Sequence, residues 1–133
     1  MNKSPEEKKI DGIKELVDQI DFPIVVEGIK DKKALSFFGF EKIYTISGKR
    51  LEDVVTLVIS SRSKSVAILT DFDEEGKKYF NRLVKLFQSS GIYVDNSLRR
   101  KIKYITSVQK IEELNFLIKN YVSKLNLLSC KTV

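Results

Sequence analysis

The chain has 133 residues, 42% hydrophobic and 32% charged, with 24 Lys and Arg against 18 Asp and Glu for a net charge of +6. That is one domain with enough apolar residues for a core, and a modest positive charge favours polyanions such as nucleic acid. There is no His and one Cys, Cys130, which excludes imidazole catalysis, Ser-His-Asp triads, His-ligated zinc, an internal disulfide and Cys-x-x-Cys metal sites.

No apolar run approaches the roughly 20 residues that span a bilayer. The start, Met1-Asn2-Lys3-Ser4-Pro5-Glu6-Glu7, is polar and unlike a signal peptide, so a cytoplasmic protein with no membrane partner is expected. Neither a Gly-x-Gly-x-x-Gly nor a Gly-x-x-x-x-Gly-Lys-Ser/Thr loop is present. Any chemistry therefore runs on carboxylates, lysines, arginines and a bound metal.

In chain order, Ser4-Pro5-Glu6-Glu7 starts a helix, with Ser4 as cap and Pro5 at its first position. Ile10, Ile13, Leu16, Val17 and Ile20 form its apolar stripe, and Asp21-Phe22-Pro23 ends it. Ile24-Val25-Val26 is a buried strand that runs into Glu27-Gly28. Asp31 to Phe38 reads as a helix closed by Gly39, Lys42 to Ile46 as a strand, and Ser47-Gly48-Lys49-Arg50 as a polar loop. Leu51 to about Ser61 is helical, with Leu51, Val54, Val55 and Val58 inward.

Val66 to Leu69 is too short for a buried helix and reads as a strand covered on both faces. It runs into Asp71-Phe72-Asp73-Glu74-Glu75-Gly76, and Gly76 opens an amphipathic helix with Tyr79, Phe80, Leu83, Val84 and Phe87 on one side. Gly91 ends that helix and Ile92-Tyr93-Val94 is a fourth strand. Arg99-Arg100-Lys101-Ile102-Lys103 reads as a solvated basic cluster. Ile111 to Leu125 forms a last amphipathic helix, and residues after Leu128 are expected to fray. The alternation predicts a three-layer α/β fold: a mainly parallel sheet of about four strands with helices on both faces.

The acids carry the functional argument. Asp71 and Asp73 lie on one strand-to-helix turn and Glu27 on another, and in a parallel sheet such turns share one edge, where ligands bind. If the strands are neighbours, about 4.8 Å apart, the three carboxylates converge. Two carboxylates one residue apart repel unless a hard cation lies between them, and Mg²⁺ takes one or two carboxylates and leaves room for phosphate. The competing reading is a helix N-terminus dressed with acids that suit its dipole, which fits Glu74 and Glu75 well.

Val25-Val26-Glu27-Gly28 followed by Asp31, with Leu69-Thr70-Asp71-Phe72-Asp73-Glu74-Glu75-Gly76 downstream, resembles the Toprim domain of topoisomerases, bacterial-type primases and small nucleases. It is most similar to the small stand-alone Toprim proteins of archaea, which also carry an Arg-rich segment like Asn96-Ser97-Leu98-Arg99-Arg100. The resemblance covers about 23–100 of a single domain spanning 1–133, with the terminal helices as additions. It implies a Rossmann-like fold, with Glu27 as general acid/base or metal ligand and Asp71 and Asp73 as ligands of Mg²⁺ or Mn²⁺. Gly28 and Gly76 are then the motif glycines. Two departures stand out: Ile29 replaces the lysine of many relatives and displaces it to Lys30, and Glu74 and Glu75 stand where many archaeal relatives are basic.

The expected activity is metal-dependent phosphodiester chemistry on DNA or RNA, as a small nuclease of RNA processing or DNA repair. Lys30, Lys49, Arg50, Arg99 and Arg100 are its candidate phosphate contacts. The alternative is a non-catalytic module that binds nucleic acid, or a partner in replication, repair or RNA processing, in a metal-dependent way. A topoisomerase or primase acting alone needs domains for which this chain has no room. A response-regulator-like domain would need a lysine directly after the fourth strand, and none follows. The terminal helices would either cover the sheet or mediate a homodimer or protein contact.

Overall fold

The structure, a computed structural model, describes residues 2–131. Four strands, β1 (Ile24–Val26), β2 (Ile43–Thr45), β3 (Ser65–Ile68) and β4 (Tyr93–Asp95), form a wholly parallel sheet in the order β2-β1-β3-β4. Val25 stands opposite Tyr44 on one side and Ile68 on the other, and Ala67 opposite Asp95. The chain steps outward from β1 to β2, then crosses back and steps the other way from β3 to β4. The direction of winding therefore reverses between β1 and β3, which opens a crevice outside their carboxyl ends.

Successive strand residues face opposite layers. Val25, Val66 and Ile68 pack on α3 (Leu51–Ser60) and α4 (Glu74–Ser89) through Val54, Val58, Leu83 and Phe87. Ile24, Val26, Ala67 and Leu69 face the other layer. That layer holds α1 (Pro5–Val17), α2 (Ile29–Phe38), α5 (Ser97–Thr106) and α6 (Leu114–Lys131), with a 3-10 turn at Ile111–Glu113. Burial on both sides explains why the strands are unbroken apolar runs and not alternating ones.

α1 starts as its sequence demands: the Ser4 hydroxyl accepts the Glu7 N–H at 3.2 Å. Its Ile10, Ile13 and Leu16 are buried, so this helix covers the sheet. α6 packs on α1 and α2, while Phe116, Leu125 and Leu127 stay exposed. No described helix is long and apolar enough to cross a membrane.

Two expectations are corrected. The basic cluster after β4 is helical: Leu98, Ile102 and Thr106, four residues apart, turn into the core while Arg100, Lys101 and Tyr104 face solvent. The charges between those apolar positions hide the period. α6 also stays helical through Lys131; Thr132 and Val133 lie outside the described residues.

Candidate functional site

The site is built at the crevice between β1 and β3. Glu27 leaves the end of β1, and its Oε2 accepts the N–H of Asp71 at 2.6 Å, just past β3. The two acids are thus joined across neighbouring strands. Asp71 Oδ1 in turn accepts the Ile111 N–H at 2.9 Å. Each carboxylate keeps one oxygen, Glu27 Oε1 and Asp71 Oδ2, with no N–H partner among the described residues.

Asp73 is used differently. It is the N-cap of α4, and its Oδ1 accepts the Gly76 N–H at 2.8 Å. Among the described residues no group of three or more acidic or Cys side chains is close enough to hold an ion by itself. Of the three acids expected to converge, Glu27 and Asp71 are joined through the Asp71 N–H, and Asp73 spends one oxygen on the cap of α4. Glu74 and Glu75 are exposed in the first turn of α4, where they complement its dipole.

The Asp71 turn is fixed from all sides. Gly76 packs so closely that a Cβ there would lie 2.0 Å from the Asp71 carbonyl oxygen. The Thr70 hydroxyl, fully buried, donates to the Gly76 carbonyl at 2.7 Å. Arg99 reaches in from α5: one guanidinium nitrogen donates to the Thr70 carbonyl and the other to the Asp71 carbonyl at 3.0 Å. Its guanidinium carbon lies 4.6 Å from the Phe72 ring centre and 4.7 Å from that of Phe80. A planar fork between two aromatic faces suits Arg and not Lys. Arg99 thus grips the turn, whereas the sequence placed it among outward phosphate contacts.

At Gly28 the backbone is extended, and a Cβ would make only an ordinary 3.9 Å contact with Asp31 Oδ2. Close approach is required at Gly76 and not here. Asp31, only 5% exposed, accepts the Gly28 N–H at 2.9 Å and closes the first turn of α2.

Crowding and burial shape the acidity of the cluster. Burial pushes Glu27 up to about 7, with the negative charges of Asp71, Asp73 and Asp31 adding to it against the Asp71 N–H bond. Burial also raises Asp71 and Asp31. It lowers the Arg99 guanidinium, against the pull of Asp71 and Glu27.

The pair opens into a cleft of about 970 Å³ lined by Lys49, Arg50, Arg82 and Lys110, with Tyr79 and Asp31 also on its walls. Lys49 and Arg50 stand there as placed from sequence. Lys30 and Arg100 are exposed and do not line the cleft. Arg82 and Lys110 were not singled out, and Asp31 only as part of the motif after Gly28. Arg82 follows Tyr79 by three residues on α4 and so shares its face, a readable signal. Lys110 has none, because a loop distant in sequence carries it to the edge. The N-termini of α2, α3 and α4 meet at this edge, which favours bound anions.

The Toprim domain signature matches residues 22–109. The chain belongs to the Toprim family. It is 31% identical to a UPF0292 protein of Methanocaldococcus jannaschii over 81% of this chain and 88% of that one. It is 36% identical to another from Pyrococcus furiosus over 80% and 82%. A solved structure from Aquifex aeolicus aligns with a TM-score of 0.67 and 33% identity, over 80% of this chain and 95% of that one. Toprim domains are associated with nucleic-acid enzymes such as primase and generally bind Mg²⁺ through acidic residues. The Glu27–Asp71 pair fits that ion, since Mg²⁺ is held by one or two hard carboxylates and completes its shell with water and phosphate oxygens.

Proposed function

We propose that this Toprim protein is a Mg²⁺- or Mn²⁺-dependent nuclease that cleaves phosphodiesters in DNA or RNA. The observation that supports it is the joined Glu27–Asp71 pair in a cleft that four cationic side chains also line. Asp71 and Glu27 would hold the ion, and Asp73 would join through the oxygen that its cap leaves over. When bound, the ion supplies positive charge that polarises the scissile phosphate and acidifies the attacking water.

The protein's own groups do the rest. Lys49, Arg50 and Arg82 neutralise phosphate oxygens and orient the backbone. Glu27 would also carry the proton, taking it from the attacking water through the oxygen that has no N–H partner and returning it to the leaving oxygen. Asp31 holds the Gly28 turn under Glu27, and Arg99 and Gly76 hold Asp71.

The test is cleavage of labelled single- and double-stranded DNA and RNA with Mg²⁺, Mn²⁺ or EDTA. Asp71→Asn and Glu27→Gln should each lose about 100-fold or more in rate. Wild-type cleavage by both variants would sink the assignment. Binding without any cleavage by the native protein would make this a metal-dependent docking module.

A further inference from the structure

Lys110 lies beyond the residues 22–109 matched by the family signature, yet it stands in the cleft with Glu27 and Asp71. Its backbone is fixed by the acidic turn itself. The preceding Gln109 carbonyl accepts the Phe72 N–H at 2.7 Å, and the following Ile111 N–H donates to Asp71 at 2.9 Å. The Lys110 N–H donates to Glu113 Oε1 at 3.0 Å. Its exposed side chain makes no ion pair among the described residues. It is a free cation on an anchored loop, unlike Lys49, whose ammonium is bonded to Thr45.

Its position relative to the other cations gives the inference. Lys49 and Arg50 precede α3 and Arg82 lies on α4, in the layer on one face of the sheet. Lys110 adjoins Ile111, which is buried in the opposite layer. The Glu27–Asp71 pair sits at the sheet edge between them. We propose that Lys110 binds a backbone phosphate of a nucleic-acid strand that crosses this edge, so that phosphates are engaged on both sides of the acidic pair. The substrate is then an internal phosphodiester of a chain and not a terminal phosphate. Glu112, on the same wall, limits that side to a short cationic stretch. The proposal rests on the nuclease reading of the site.

The experiment is fluorescence anisotropy of a labelled single-stranded oligonucleotide on the full chain in Ca²⁺, across a salt series. Each lost phosphate contact should lower the slope of log K against log salt by about 0.7. Lys110→Gln should do so, Lys110→Arg should restore it, and Lys64→Gln, exposed at the opposite end of β3, should leave it unchanged. Lys110→Gln combined with Arg50→Gln should lower it by about 1.4, because the two meet different phosphates. A lysine that only balances the charge of Asp71 would leave the slope as in the native protein. An unchanged slope in Lys110→Gln, beside a lowered one in Arg50→Gln, overturns the proposal and leaves the nuclease reading standing. No binding by the native protein overturns both.

Discussion

Two turns at the same sheet edge are built on opposite plans. In the β3–α4 turn the backbone is gripped throughout. Arg99 takes the Thr70 and Asp71 carbonyls, Glu27 the Asp71 N–H, Gln109 the Phe72 N–H and Asp73 the Gly76 N–H. In the β2–α3 turn the Ser47 N–H is held by the Glu27 carbonyl and the Lys49 N–H by Ile46 within the turn, but Ser47, Gly48, Lys49 and Arg50 are all exposed, and Gly48 has nothing within 4 Å of where a Cβ would be. The first turn carries the acids and the second carries cations. A carboxylate pair that shares an ion works only within a few tenths of an ångström of its geometry. A cation that follows a flexible phosphate chain tolerates slack. On the proposed reading, the difference in construction follows the difference in task.

The largest effect should come from adding one methyl group to each turn. At Gly76 a Cβ would meet the Asp71 carbonyl oxygen at 2.0 Å and the carbonyl carbon at 2.5 Å, both backbone atoms. Gly76→Ala must displace the turn, and we expect it to cost about 3 kcal/mol or more in urea unfolding and to abolish Mg²⁺ binding. Gly48 has φ +71 but open space around it. Gly48→Ala should cost only about 1 kcal/mol, the strain of a left-handed residue, with Mg²⁺ affinity unchanged. Equal losses at the two sites would erase the contrast.

Arg99→Lys probes the same contrast more gently. Lysine keeps the charge but cannot fork between two carbonyls or stack flat between Phe72 and Phe80. Loss of one charge-assisted bond and the stacking should lower stability by about 2 kcal/mol. Mg²⁺ affinity should fall with it, because the Asp71 carbonyl loses its holder. Arg50→Lys, on an exposed side chain, should change stability by less than about 0.5 kcal/mol. If Arg99→Lys behaves like Arg50→Lys, Arg99 does not position the turn.

What could be read from sequence follows the range of the interactions. The sheet, its parallel sense and the placing of Glu27 and Asp71 on one edge need only strand runs that end in acids and a glycine before a helix. The capping by Asp73 is also local, since an acid three residues before Gly76 at the start of a helix is placed to accept its N–H. Arg99 was legible as a cation but not as an inward one. Its direction depends on Leu98 and Ile102 anchoring a helix whose period the flanking charges obscure. Lys110 and the Ile111 amide were illegible, because their role arises only when a loop some 40 positions away folds over Asp71.

The smallest expected effect concerns the acids themselves, as a dependence of stability on pH in the ion-free protein. Burial raises Glu27 from 4.5 to about 7, and Asp71 and Asp31 move the same way. Between those values the folded chain holds protons that the unfolded chain has released. Its stability is therefore greatest at the acid end of that window and falls as pH rises through it. Solvent at the cleft screens part of this, so the fall should be about 1–2 kcal/mol. Glu27→Gln should flatten most of it, since the amide oxygen still accepts the Asp71 N–H without bringing a charge. Above the Glu27 midpoint, Mg²⁺ should restore the native protein and not the variant, because it binds the ionised pair only in the folded state. A slope that survives Glu27→Gln would shift the proton to Asp71 or Asp31. A slope of the opposite sign would mean that the cations of the exposed turn already neutralise the pair, and that the two turns act as one charge cluster.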